Sequence, residues 1–176
     1  MAYRYVAYTF IAVVFSFLLH EFTHWSMGEL LGYDMEMTLN VTSPKIGAFS
    51  QDWQYTLVSA VGPFITLLQS FVFFLWIKKS SQKNLYPFLF SSFYLDLLSG
   101  IMNYRHPNDM GRISTTFHLG LFTLPIIFVA MHSLMIYKTT VREQYRWRFN
   151  LWTLLWVLVF SSALILINQR YHVVII

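Results

Sequence analysis

The chain has 176 residues, of which 56% are hydrophobic, 19% aromatic and only 11% charged, with a formal net charge of +4. A soluble domain carries about 25% charged residues, and a core of this size cannot hide so much apolar surface, so a water-facing globule is excluded. With no cysteine, disulfides, thiolate metal sites and cysteine nucleophiles are excluded as well. The small positive charge lies beside apolar runs and reads as membrane topology, with no nucleic-acid partner.

The apolar runs predict an all-α integral membrane protein with about five transmembrane helices, near residues 5–31, 54–77, 85–104, 112–137 and 149–169. Each run provides the roughly 20 residues that one helical crossing needs. The whole of 1–176 is expected to form a single transmembrane domain with no appended soluble domain. The first run lacks a small-residue cleavage site after its apolar stretch, so it reads as part of the mature protein rather than a signal peptide. It also contains His20, Glu21, His24 and Glu29.

Between the first and second runs the pattern changes. Met35, Met37, Leu39 and Val41 alternate with Glu36, Thr38, Asn40 and Thr42, the period of a half-buried strand. Thr42-Ser43-Pro44-Lys45 reads as a turn and Ile46 to Ser50 as a returning strand. The expectation is a short membrane-associated β-hairpin after the first helix, with an open edge that can accept another chain.

Lys78, Lys79 and Lys83 lie between the second and third runs, Lys138, Arg142, Arg146 and Arg148 between the fourth and fifth, and Arg4 before the first. Five crossings put all three groups on one side. The positive-inside rule makes that side, and the amino terminus, cytoplasmic, leaving the hairpin and carboxyl terminus outside.

His20 and His24 stand four apart, hence on one helical face, one turn above the other. Both imidazoles can reach a single ion, and Glu21, directly after the first, falls beside the open coordination position, where it can take a proton from water. Three ionisable groups so close together within a membrane helix are costly unless they pair or bind an ion. A catalytic zinc usually takes three protein ligands. The leading candidate for the third is Asp109, in the polar break Asn103 to Arg112, since non-helical backbone at membrane depth belongs where it lines a cavity. His106, His118, His132 and Asp96 are its rivals. His118 is placed to line the site, His132 reads as structural, and Asp96, mid-helix, should pair or face a polar cavity.

His20-Glu-Phe-Thr-His24, then Gly62-Pro63, then Asp109-Met-Gly-Arg-Ile113 occur in that order. The combination resembles the site-2 protease family of intramembrane zinc metalloproteases, as a divergent, minimal member. The resemblance implies one Zn2+ held by His20, His24 and Asp109, with Glu21 as catalytic carboxylate. It also implies a strand near the site, matched by Met37, Leu39 and Val41, that binds unwound substrate by edge addition. Asn103, Asn108 and His118 are candidates for positioning substrate or steadying the oxyanion. The expected reaction is hydrolysis of a peptide bond within or near the membrane-spanning segment of another protein. Alternatives are a zinc-dependent membrane enzyme acting on a lipid, and a non-catalytic metal-binding transporter or chaperone.

Overall fold

The computed structural model describes residues 2–176. In chain order it contains α1 (Ala2–Leu30), β1 (Met35–Met37), β2 (Thr42–Pro44), α2 (Asp52–Ser80), a 3-10 turn at Lys83–Leu85, α3 (Tyr86–Met102), α4 (Asp109–Thr116), α5 (Thr123–Arg142) and α6 (Trp147–Tyr171). The protein is a helical, multi-pass membrane protein: among the described residues α1, α2, α3 with its 3-10 turn, α5 and α6 are five helices long and apolar enough to cross a bilayer.

Local chemistry sets the helix ends. Gly32 takes a positive φ of 87° just after α1, and Ser81 and His172 adopt left-handed conformations that close α2 and α6. Asp52 in the first turn and Lys78 and Lys79 in the last turn of α2 complement the helix dipole. Pro87 opens α3, where its missing N–H costs nothing.

The packing is that of a membrane bundle. Large apolar side chains such as Phe10, Leu68, Phe71 and Leu158 face outward, while Thr9, Ser16, Ser70, Ser92 and Ser161 are buried between helices. Small polar residues let helices approach closely, and hydrogen bonds then join them. Gln69 of α2 donates to Ser16 Oγ of α1 at 2.7 Å and to the Phe88 carbonyl of α3 at 3.0 Å. A cluster built around Val13, Phe17, Ile77, Tyr86, Leu89 and Val157 fills the centre.

Two expectations are corrected. The run 112–137 is not one helix: α4 ends at Thr116, and the chain turns through His118 (φ 56°) and Gly120 (φ 86°) before α5 begins at Thr123. The positive φ at two nearby positions breaks the helix despite the apolar composition. The hairpin is also tighter than the alternation suggested. β1 and β2 pair antiparallel with Met35 opposite Pro44 and Met37 opposite Thr42, so Thr42–Pro44 is the returning strand and not the turn. The reversal falls at Thr38–Val41, where the Thr38 hydroxyl donates to the Val41 carbonyl at 2.8 Å and accepts the Val41 N–H at 3.1 Å. Ile46 to Ser50 forms no strand.

The residues after α6 return to this hairpin. Met37 N–H donates to the Ile176 carbonyl at 3.0 Å, Ile175 N–H donates to the Met37 carbonyl at 2.8 Å, and Thr38 bridges Val174 antiparallel. Hairpin and tail therefore share one end of the bundle. At the other end, Ser81 contacts Glu143, Tyr86 contacts Asn150, and Tyr5 contacts Thr153. The Lys and Arg residues of the two connecting loops belong to that second end, as an odd number of crossings requires.

Candidate metal centre

The His-Glu-Phe-Thr-His run lies near the carboxyl end of α1, one turn and a half before Leu30. His20 and His24 face α2, with rings edge to face and centroids 4.7 Å apart. His20, Glu21 and His24 are only 8%, 8% and 6% exposed. Asp109 opens α4, just after the extended Asn108. Its Oδ2 lies 3.4 Å from His20 Nε2 and 3.4 Å from His24 Nε2, and the two Nε2 atoms are 3.1 Å apart. The break between α3 and α5 thus delivers Asp109 to the histidines, as the sequence suggested, and these three residues form a group that could hold a metal ion.

The Nδ1 contacts leave Nε2 of both rings as the ligand atoms. His24 Nδ1 lies 2.6 Å from the Val58 carbonyl, which can only accept, so Nδ1 carries the hydrogen. His20 Nδ1 lies 2.9 Å from Thr66 Oγ1, whose own hydrogen is donated to the Gly62 carbonyl at 2.9 Å. Thr66 is therefore the acceptor, and His20 Nδ1 also carries its hydrogen. When both rings are neutral, Nε2 is a bare lone pair in each, and both lone pairs meet the Asp109 carboxylate. Three acceptors then face one another, an arrangement that a metal ion, or protons on Nε2, offsets. With a metal ion, the distances fit: ligand atoms ~2.0–2.1 Å from a tetrahedral ion lie about 3.3 Å apart.

Neighbouring side chains fix the remaining freedom. Arg112 Nη1 approaches Asp109 Oδ1 at 3.7 Å, which leaves Oδ2 for the histidines. The same guanidinium donates to Ser59 Oγ at 2.5 Å and stacks 3.8 Å over the Tyr55 ring. Burial alone would push the Asp109 carboxyl up, but the positive charge that the facing His24 and His20 rings carry when protonated outweighs it and holds the group well below the usual carboxylate range. Gly62 supplies the space. A β-carbon there would overlap His24 Nε2 and come within 2.8 Å of His20 Nε2. The Gly62-Pro63 pair therefore marks the place where α2 runs against the imidazoles.

The other sequence candidates are distributed more widely. Asn103 is buried, and its Oδ1 accepts the Asn108 N–H at 2.5 Å. It thereby shapes the loop carrying Asp109, while its Nδ2 has no hydrogen-bond partner. A β-carbon at Gly111 would overlap the Asn103 amide, which explains the glycine two residues after Asp109. Asn108 is the partly buried cap of α4. His118 and His106 are exposed and do not join the group. The left-handed turn carries His118 away from the axis of α4. His132 and Asp96 are buried together on α5 and α3, with Nδ1 and Oδ2 3.5 Å apart; His132 Nδ1 also donates to the Phe128 carbonyl at 2.9 Å.

The expected substrate strand needs revision. On the side of β1 away from β2, Met35 N–H donates to Glu29 Oε1 at 2.8 Å, the Met35 carbonyl accepts from Trp25 Nε1 at 3.3 Å, and Met37 pairs with Ile175 and Ile176. That edge is closed, so Met37 cannot take a substrate strand while the tail is in place. Met37 is buried against the helices, Leu39 packs on the core, and Val41 is exposed at the turn. The remaining edge belongs to β2. Thr42 is opposite Met37, whose backbone groups face the tail, so by the antiparallel alternation Thr42 N–H and C=O point away from β1. The Thr42 hydroxyl donates to the Glu21 carbonyl at 3.1 Å. β2 is thus fastened to the turn of α1 that carries Glu21.

Thr66, Val58 and Arg112 escaped the sequence reading. Two of them carried a signal, since Thr66 is one turn beyond Gly62 and Arg112 is three residues after Asp109.

No family model, curated protein or solved structure matches the chain. The molecule itself defines the class: a multi-pass helical membrane protein with a buried two-histidine, one-aspartate group suited to a metal ion.

Proposed function

We propose that the protein is an intramembrane zinc metalloprotease of the site-2 protease type, cleaving a peptide bond within or near the membrane-spanning segment of another protein. The observation that carries this reading is the convergence of three ligand atoms, 3.1–3.4 Å apart, beside the buried carboxylate of Glu21. Two imidazoles, one carboxylate and no thiolate suit zinc. A zinc ion there supplies Lewis acidity, polarising the scissile carbonyl and lowering the pKa of water toward ~7.

The rest of the chemistry belongs to the chain. His20, His24 and Asp109 hold the ion; Thr66, Val58 and Arg112 hold the ligands. Glu21 takes the proton of the attacking water and passes it to the leaving amine. The unpartnered Asn103 Nδ2 is available to donate to the carbonyl oxygen as charge develops there. A membrane helix has its backbone bonds satisfied internally and must unwind before cleavage. Thr42 N–H and C=O offer the freed segment a backbone partner. Pro44, lacking an N–H, keeps that edge short. The amino-terminal side, where the Lys and Arg residues gather, is assigned to the cytoplasm.

The test is cleavage of a model membrane-spanning substrate by purified protein, with metal content measured in parallel. Glu21→Gln should keep the metal and lose about 10²–10⁴-fold in rate. Undiminished cleavage would overturn the assignment. Thr42→Pro removes the edge donor and should slow peptide cleavage far more than Thr42→Val. A lipid substrate consumed equally by both variants would favour a lipid enzyme. A bound metal with no turnover of either substrate would favour a non-catalytic role.

A further inference from the structure

A groove of about 520 Å³ runs along the outside of the bundle between α2 and α5, within the ~300–1,000 Å³ range of small-molecule sites. Phe64, Leu67 and Phe71 of α2 and Met131, Leu134 and Met135 of α5 form its apolar walls. Lys138 closes one end, and there a second hollow of about 260 Å³ continues between Lys78, Lys138 and Arg142. Arg142 is partly neutralised by Glu143, with Nε 3.5 Å from Oε1. Lys78 and Lys138 are exposed and have no acidic partner among the described residues.

We propose that this groove is a binding site for one anionic phospholipid, with an acyl chain between α2 and α5 and the phosphate between Lys78, Lys138 and Arg142. The apolar walls open on the hydrocarbon region, so a chain that lies there leaves no polar group unsatisfied. The basic end lies where the two Lys- and Arg-bearing connections meet, at headgroup level. A zwitterionic lipid fills the walls equally well, so discrimination comes from the two unpaired ammonium groups. Each Lys or Arg near an anionic surface contributes about fivefold in affinity. The groove lies on the α5 side of α2, while His20 and His24 meet α2 from α1, so the site is separate from the metal centre and does not rest on the protease reading.

The experiment is native mass spectrometry of the purified full chain, titrated with phosphatidylglycerol or with phosphatidylcholine of the same acyl composition. One phosphatidylglycerol should be retained at least tenfold more tightly than phosphatidylcholine. Lys78→Gln with Lys138→Gln should remove most of that preference, Lys78→Arg with Lys138→Arg should keep it, and Leu134→Trp should weaken both lipids by filling the groove. Arg146→Gln with Arg148→Gln, which removes equal charge elsewhere, should leave the preference intact, and inorganic phosphate should not displace the lipid. Equal retention of the two lipids would overturn the proposal. So would an equal loss in the Arg146/Arg148 control, or displacement by phosphate alone or by an acidic-ended transmembrane peptide. Metal content and helicity, measured on every variant, separate a lost site from a lost fold.

Discussion

Gly62 lies so close to His24 that a single added carbon would overlap its Nε2 atom. The absence of a side chain on α2 is as much a part of the metal centre as the imidazoles on α1. Gly62→Ala should therefore strip the ion, reducing metal occupancy at least tenfold while leaving helix content unchanged. Metal analysis with circular dichroism checks this. Full occupancy in the variant would mean that α1 and α2 are not in such close contact.

Thr66 holds His20 by accepting its Nδ1 hydrogen while donating its own to Gly62. Partners of this kind are worth about 10–100-fold in metal affinity. Thr66→Val keeps the shape and removes the acceptor, so affinity in a chelator competition should fall within that range. Thr66→Ser should restore most of it. Equal affinities in the two variants would reduce Thr66 to packing.

Among the described residues, Asp109 is the carboxylate that groups with both histidines. Asp109→Asn should lower metal content, and Arg112→Ala, which frees Oδ1, should lower affinity by about 10-fold or more. His118→Ala should leave both unchanged. Loss of the metal in His118→Ala with retention in Asp109→Asn would move the third ligand.

Asn168 ties α6 to the hairpin: its Nδ2 donates to Thr38 Oγ1 at 2.9 Å and to Asn40 Oδ1 at 2.7 Å, and its Oδ1 accepts from Val173 N–H at 3.1 Å. Replacement by Ala leaves buried partners unsatisfied and should cost about 1–3 kcal/mol. Hydrogen exchange at the amides of Met37 and Ile175 should quicken relative to β2. Unaltered protection there would show that the tail strand holds without the Asn168 bonds.

The readable parts of this molecule were those with local periodicity. His20 and His24 announced themselves through helical spacing, Asp109 through a polar break between apolar runs, and the crossings through length. Gly62-Pro63 was visible as a motif, but its reason was not, because close approach of two helices leaves no mark on either sequence alone. The break at His118 and Gly120 had a signal, a glycine within an apolar run, that composition masked. Alternation from Met35 correctly indicated strand but placed the reversal too late, since the Thr38 bonds to Val41 that make the turn depend on side-chain geometry. The tail at Val174 to Ile176 was illegible because its partner is Met37, a pairing fixed by the whole bundle.

That pairing has a consequence for the order of assembly. Thr38 and Asn168, whose side chains meet, are 130 residues apart in the chain. At about 5–20 residues per second of synthesis, the outer edge of β1 waits roughly 7–26 seconds for its neighbour. Until α6 has been threaded through the bilayer and the tail delivered to the far side, Met37 presents bare backbone beside a nearly complete metal centre. The residues that follow α6 are therefore those that close the outer edge of β1, and that edge stays bare until α6 has been inserted.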